Sequence, residues 1–383
     1  MRSWSSSASS GCDRAPSLDP GTVRAVSARR ATLRARVAER ELDALLVTNL
    51  VNVRWLTGFD GSNAAVVLGA AQQRFITDFR YLTQSAEQLE PEWEREIATD
   101  LLKRAVEGLP AQPLKLGFDD GHLTVRQHAQ LVELIAEREV KLVAAGGIVE
   151  ALRAVKDDAE IELIRAAARI ADAAFEEVVG AGIVGRTERE VALDLEIAMR
   201  RRGAEGVSFA PIVAAAEHGA RPHAVPRDVP IPESTLVVID WGAQCDGYAS
   251  DCTRTVATGA LDPRDEMIYE TVLVAQEAAL RAVRAGPTGK EIDAVARTII
   301  DEAGHAEHFG HGLGHGVGME VHEGPRLGKT GEDALAAGNV VTVEPGIYVP
   351  GAIGVRIEDL VAVTEEGCVV LNGLPKALRT VHP

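Results

Sequence analysis

Four carboxylates end apolar strands or follow tight turns, and their spacing sets them in pairs. The run TLVVID ends at Asp240, and WGAQCDGYASDCTRTV returns to Asp251 through the turn signal Asp246-Gly247. A hairpin centred between Cys245 and Asp246 puts residue 240 directly opposite residue 251. Opposed side chains have Cβ atoms about 4.5–5.5 Å apart. A second apolar run, NVVTVE, ends at Glu344, and GVRIED carries Glu358 beyond the turn at Pro350-Gly351. Centring that hairpin on Gly351 sets Glu344 opposite Glu358. Two carboxylates at such a distance repel, and burying even one without a partner is expensive. A cation between them relieves both costs. Solvated acids beside a turn explain one such pair, but explain two independent pairs poorly.

Between the hairpins lies HFGHGLGHGVGMEVHEGP, with histidines at 308, 311, 315 and 322. Its alternating glycines let the backbone approach a crowded centre where a side chain would clash. One histidine would complete an otherwise oxygen-rich metal shell, and spacing alone does not select which. A histidine-rich surface loop is the plainer alternative, but the weakly charged surroundings fit it less well.

The elements that must hold these residues are legible in outline. A helix begins near Asp157, with Ile161, Ile164, Ala168, Ala171, Phe175 and Val178 on one apolar stripe. Gly180 and Gly182 mark its end. Thr187 with Glu190, and Thr288 with Glu291, are capping boxes opening further helices. Strands fall at 236–241, 247–257, 339–344 and 354–363, so this part is α+β, with helices over one face of an antiparallel sheet. Its two halves each run helix, helix, hairpin. Upstream, a charged helix leads into the strand ALLVT, followed by strands AAVVLG and RFITDFRYL. Helical patterns near 83–107 and 123–138 flank a strand, PLKLGFD, which together predict an α/β domain ending near residue 150.

The bulk properties bound the function. At 383 residues the chain accommodates two domains, and its formal charge of −17 argues against general affinity for nucleic acid or anionic membranes. No run of 18 apolar residues predicts a membrane span. No GxGxxG follows a strand, so there is no case for a dinucleotide. Four cysteines, at 12, 245, 252 and 368, lack CxxC spacing and predict reduced thiols. Residues 1–21 are serine-rich, predict a disordered leader and hold no apolar core of a secretion signal. A cytoplasmic location is the expectation.

The stretches IDWGAQCDGYASDCTRT, HGLGHGVGMEVHEGP, TVEPGIYVPG and GVRIEDLV together resemble the creatinase/aminopeptidase P/prolidase family of pita-bread metallopeptidases. The resemblance covers about residues 155–365. It implies an α/β N-terminal domain over 22–150 followed by an α+β pita-bread catalytic domain over 155–375. It also implies the metal ligands Asp240, Asp251, His315, Glu344 and Glu358, holding two divalent ions, with manganese the first choice and cobalt or zinc alternatives. Glu344 is then the candidate general base for a bridging water. His223 in RPHAVP and His322 in VHEGP resemble the family's catalytic histidines facing the substrate. His311 resembles a residue on the proline-binding side, Tyr348 and Arg356 resemble nearby support for substrate binding, and Arg326 resembles an arginine that some prolidases turn towards a dipeptide's free carboxylate. The sequence departs mildly from the family: no Gly-Asp turn precedes Leu236, and Trp241 is bulky for its place.

The activity so implied is hydrolysis before proline. Xaa-Pro aminopeptidase, releasing an N-terminal residue from proline-containing peptides, is the first expectation, and Xaa-Pro dipeptidase the alternative. A catalytically inactive peptide- or protein-binding module of the same fold is a third possibility, disfavoured by the intact ligand set. The family also implies a homodimer.

Overall fold

The computed structural model describes residues 20–70 and 72–381, with side chains from residue 27 onward. The leader expected over 1–21 lies outside the described residues as far as residue 19, and Pro20 already opens the first helix. The chain divides between Arg153 and Ala154 into two compact units.

The first unit runs α1 (Pro20–Glu39), β1 (Ala44–Val47), α2 (Leu50–Thr57), β2 (Ala64–Gly69), β3 (Gln73–Thr77), α3 (Leu82–Gln88), β4 (Glu94–Ile97), α4 (Leu101–Glu107), β5 (Leu114–Phe118), α5 (Val125–Leu134), β6 (Val140–Ala144) and α6 (Ile148–Arg153). Its six strands form one mixed sheet in the order β4-β3-β2-β1-β5-β6. The central strands β1 and β2 are buried along their whole length, as their unbroken apolar runs require. The helix expected over 83–107 is three elements instead. Pro91 denies a helix its N–H and pushes Glu90 out of helical geometry, and β4 then pairs in parallel with β3 before Asp100 caps α4.

The second unit is the α+β domain. Its first half runs α7 (Asp158–Gly180), α8 (Glu188–Arg201), β7 (Gly206–Val207), β8 (Ile212–Ala215), β9 (Leu236–Trp241), β10 (Ala243–Cys245), β11 (Tyr248–Ala249) and β12 (Cys252–Ala257). Its second half runs α9 (Pro263–Ala282), α10 (Gly289–Glu302), β13 (Gly314–Gly316), β14 (Glu323–Leu327), β15 (Val340–Val343), β16 (Gly346–Val349), β17 (Ile353–Arg356), β18 (Asp359–Val363) and β19 (Cys368–Val370). Capping boxes open α7, α8 and α10 at Asp157, Thr187 and Thr288. One apolar core packs α7 and α8 on β9 and β12, and another packs α9 and α10 on β15, β16, β17 and β18. Each half thus covers its own antiparallel strands with two helices and leaves the opposite face for other use. Of the thiols expected to be reduced, Cys252 and Cys368 are free, whereas Cys245 is in a disulfide. Among the described residues no helix is long and apolar enough to cross a membrane.

Candidate metal centre

Alternation along β9 sends Ile239 and Trp241 into the core beneath α7 and turns Asp240 to the other face. Trp241 anchors the strand end. Its ring stacks on Phe175 with centroids 4.4 Å apart, and its Nε1 donates to the Ala171 carbonyl at 2.8 Å. The bulky residue is therefore accommodated by α7, away from the acids. Before β9, Ser234 takes the left-handed conformation, φ 59, which a glycine adopts without strain.

The first hairpin corrects the expected register. Asp240 lies opposite Thr253, not Asp251, and Cys245 lies opposite Tyr248. The turn is the pair Asp246-Gly247 itself, both left-handed at φ 47 and φ 81, which is the two-residue loop this dipeptide favours. The error is two residues, and a two-residue shift returns every side chain to the same face. Asp251 therefore still meets Asp240, diagonally across the strands. In the second hairpin, Val343 opposes Asp359 and Gly346 opposes Arg356, so Glu344 and Glu358 face each other within that register, as expected.

Thr253 ties the two hairpins together. Its carbonyl accepts the Glu358 N–H at 3.1 Å, and its hydroxyl donates to Glu358 Oε2 at 2.7 Å. Arg356 Nε donates to the same hydroxyl at 2.9 Å, and Arg356 Nη2 donates to Asp240 Oδ2 at 2.6 Å. As a result Asp240, Asp251 and Glu358 each present an oxygen, all lying within 4.8 Å of one another. Asp240 Oδ1 and Glu358 Oε1 are buried with no hydrogen-bond partner. Orphaned, converging carboxylate oxygens fit a hard or borderline divalent cation. His315 and Glu344 adjoin them: His315 Nε2 stands 3.3 Å from Glu344 Oε1 and 3.7 Å from Asp251 Oδ2.

The electrostatics express the same demand. Burial pushes the Asp251 carboxyl well above the usual range, and the charges of Glu358, Asp240 and Glu344 push it further. Burial likewise raises Glu358, reinforced by Glu344 and Asp240. Burial opposes ionisation of Glu344 too, but the hydrogen bond and charge of His315 hold its pKa down to about 2. His315 is raised in return, the Glu344 contacts outweighing the cost of burying its charge. Acids that are raised by burial and by one another's charge are the setting that a bound cation relieves.

A cavity of about 480 Å³ opens onto these residues, with an apolar wall formed by Phe209, Pro211, Ile212, Val225 and Pro226. His223, His311, His322 and Arg356 also line it. His322 packs on His315 with ring centroids 4.3 Å apart, and burial followed by the charge of His315 lowers its pKa. Tyr348 does not line the cavity. It is buried behind it, its hydroxyl 3.0 Å from His311 Nε2 and accepting Arg356 Nη1 at 2.8 Å. Tyr348 and the guanidinium of Arg356 thus brace Asp240 and His311. Arg326 is exposed in β14, directly opposite His315 in β13, and lines a neighbouring cavity of about 640 Å³ that shares His311, His315 and His322 with the first. The apolar wall and Thr253 were not anticipated. Thr253 was findable from strand parity with Asp251, whereas FAPI and AVP carry no chemical signature of their own.

The sequence model of Metallopeptidase family M24 matches residues 162–365, and that of the Creatinase/Prolidase N-terminal domain matches residues 29–155. The chain is 36% identical over 331 residues to a Xaa-Pro dipeptidase of Pyrococcus horikoshii, covering 86% of this chain and 92% of that one. It superposes on a Xaa-Pro dipeptidase from Bacillus anthracis with TM-score 0.88 at 38% identity, covering 93% and 99% of the two chains. It superposes on an X-Pro aminopeptidase from Thermotoga maritima with TM-score 0.84 at 34% identity, covering 92% and 100%.

Proposed function

The chain belongs to metallopeptidase family M24, and from that premise we propose that this exopeptidase is an Xaa-Pro dipeptidase. The observation that carries the choice is Arg326. Its place opposite His315 sets an exposed guanidinium beside the candidate centre, where it would pair bidentately with the free carboxylate of a dipeptide. The dipeptidase names of similar proteins support the same choice over the aminopeptidase expected first.

In this reading Asp240, Asp251, His315, Glu344 and Glu358 hold two divalent cations, manganese foremost. The cations would activate water and polarise the scissile carbonyl. Glu344, ionised at neutral pH, accepts the attacking water's proton at Oε2, the oxygen outside its contacts with Thr342 and His315. His322, kept neutral by its lowered pKa, and His223 bind the reacting carbonyl from the cavity wall. His311, held by Tyr348, lines the proline side, where an apolar recess suits a ring that brings no backbone N–H.

Turnover of an Xaa-Pro dipeptide and an Xaa-Pro-Yaa tripeptide by manganese-loaded wild type and Arg326→Ala tests the proposal. The dipeptide should be preferred by wild type. Arg326→Ala should lower its kcat/KM by ~10–100-fold, the worth of a charge-assisted hydrogen bond, and spare the tripeptide. Wild type that cleaves only the tripeptide would establish the aminopeptidase instead.

A further inference from the structure

Glu188 is a carboxylate with 0% exposure, set in the first turn of α8 and outside both cavities. The contacts of its carboxylate oxygens all come from residues 215–227. Oε1 accepts the Ala215 N–H at 3.0 Å and Arg227 Nη2 at 2.9 Å. Oε2 accepts the Arg227 N–H at 2.9 Å and Arg227 Nε at 3.1 Å. His218 Nδ1 lies 2.9 Å from Oε2. Burial alone would raise the pKa of Glu188, but the bonds from Arg227, Ala215 and His218 hold it below the usual range. A buried charge so fully paired is costly to disturb, because loss of one partner leaves the others unsatisfied.

The stretch it grips is one wall of the candidate site. Pro222, His223, Ala224, Val225 and Pro226 all line the cavity beside Asp240. Apart from a 3-10 turn over Ala216–Ala220, this segment has no regular structure of its own. Ala216 opens it in the left-handed region at φ 53, which costs a residue with a Cβ about 1–2 kcal/mol. Something outside the segment must hold that shape. At one end β8 is fixed by its pairing with β9, where Ile212 opposes Asp240 and Ala215 opposes Val237. From Ala215 onward Glu188 clasps both ends of residues 215–227, and between them Arg356 Nη1 donates to the Pro222 carbonyl at 3.2 Å.

We propose that Glu188 is a positioning residue that sets the His223-bearing wall, residues 216–226, over the centre through Ala215, His218 and Arg227. It touches neither substrate nor metal and acts only through that wall. The kinetic consequence rests on the peptidase reading, whereas the structural consequence does not.

Glu188→Gln keeps the side-chain size but replaces one acceptor oxygen by a donor facing other donors. In the manganese-loaded protein, metal content should be unchanged while kcat/KM for the Xaa-Pro dipeptide falls by ~10-fold or more, as expected for a displaced reacting group. In a His223→Ala background the same substitution should cost less than ~2-fold, since the group it positions is gone. Amide hydrogen exchange over 216–226 should quicken, while α9 and α10 exchange as in wild type. Equal losses in both backgrounds, or unchanged exchange over 216–226, would overturn the proposal. If Glu188→Gln does not fold, Arg227→Lys, which keeps the charge but breaks the fork, probes the same coupling to His223 with the same expected and overturning results. If wild type hydrolyses no Xaa-Pro peptide, the dipeptidase reading fails by itself and the exchange measurement alone decides the role of Glu188.

Discussion

Glu358 shows how much a single side chain can be asked to hold. It is 1% exposed, gives Oε2 to the Thr253 hydroxyl, and keeps Oε1 unpartnered beside Asp240 and Asp251. Truncation to alanine removes one of three converging oxygens and leaves the remaining acids short of a cation. Folded Glu358→Ala should bind manganese at least ~100-fold more weakly and lose turnover by at least that factor, beyond the 10–100-fold typical of outer-shell changes. Chelation of wild type should abolish turnover, and added manganese should restore it. Metal titration by calorimetry beside dipeptide kinetics measures both. Near-normal occupancy and turnover in folded Glu358→Ala would refute the proposed centre. The acids were legible in sequence because carboxylates closing apolar strands are conspicuous. Glu188 was not, because Thr187 and Glu190 already explained the start of α8 as a capping box, and its partners lie 27 to 39 residues downstream.

At the level of elements, the two hairpins were unequally readable for a definite reason. Pro350-Gly351 marks the tip of the second loop, so the pairing of Glu344 with Glu358 followed directly. In the first, Asp246-Gly247 occupies both turn positions, and centring the turn one residue early moves the pairing by two. The period of two hid the error, since the same faces still meet. The helix expected over 83–107 failed differently: apolar spacing continued across Pro91 while the backbone could not. Packing of β13 was only partly foreseeable. A Cβ on Gly314 would stand 2.0 Å from the Thr342 carbonyl, and the adjacent His315 N–H donates to the Thr342 hydroxyl at 3.0 Å. Gly314→Ala should therefore push β13 off β15 and carry His315 with it. The expected cost is about 1–3 kcal/mol of stability, the range for overpacking, with weaker manganese binding. Wild-type melting temperature together with wild-type metal affinity would show that β13 tolerates the methyl group.

Across the catalytic unit as a whole, stability depends on acids that lie apart from the candidate centre as well as on those within it. The chain carries a formal charge of −17, so ionising a buried carboxylate works against a background of like charge. Asp172 in α7 is one of these. Its Oδ2 accepts the Gly373 N–H at 2.5 Å, joining the first helix of the unit to the last stretch of chain, while Oδ1 is buried with no partner. Burial pushes its pKa up to about 6, more than the Gly373 bond and the charge of Arg254 can offset. The sign follows from where the proton sits. An unfolded aspartate ionises near 3.9, so between about pH 4 and pH 6 the folded chain holds a proton that the unfolded chain has lost. Folding is therefore penalised progressively as pH rises through that window, and fully so above it. Asp172→Asn keeps an oxygen for Gly373 and removes the charge. It should raise the melting temperature at pH 8, by a gain on the order of 2 kcal/mol, and the gain should fade as pH falls towards 4. Thermal unfolding of both proteins from pH 4 to pH 8, in the presence of manganese throughout, measures the difference. A gain that is the same at every pH, or a loss at pH 8, would mean that Asp172 is ionised at little cost and that its link to Gly373 depends on the charge.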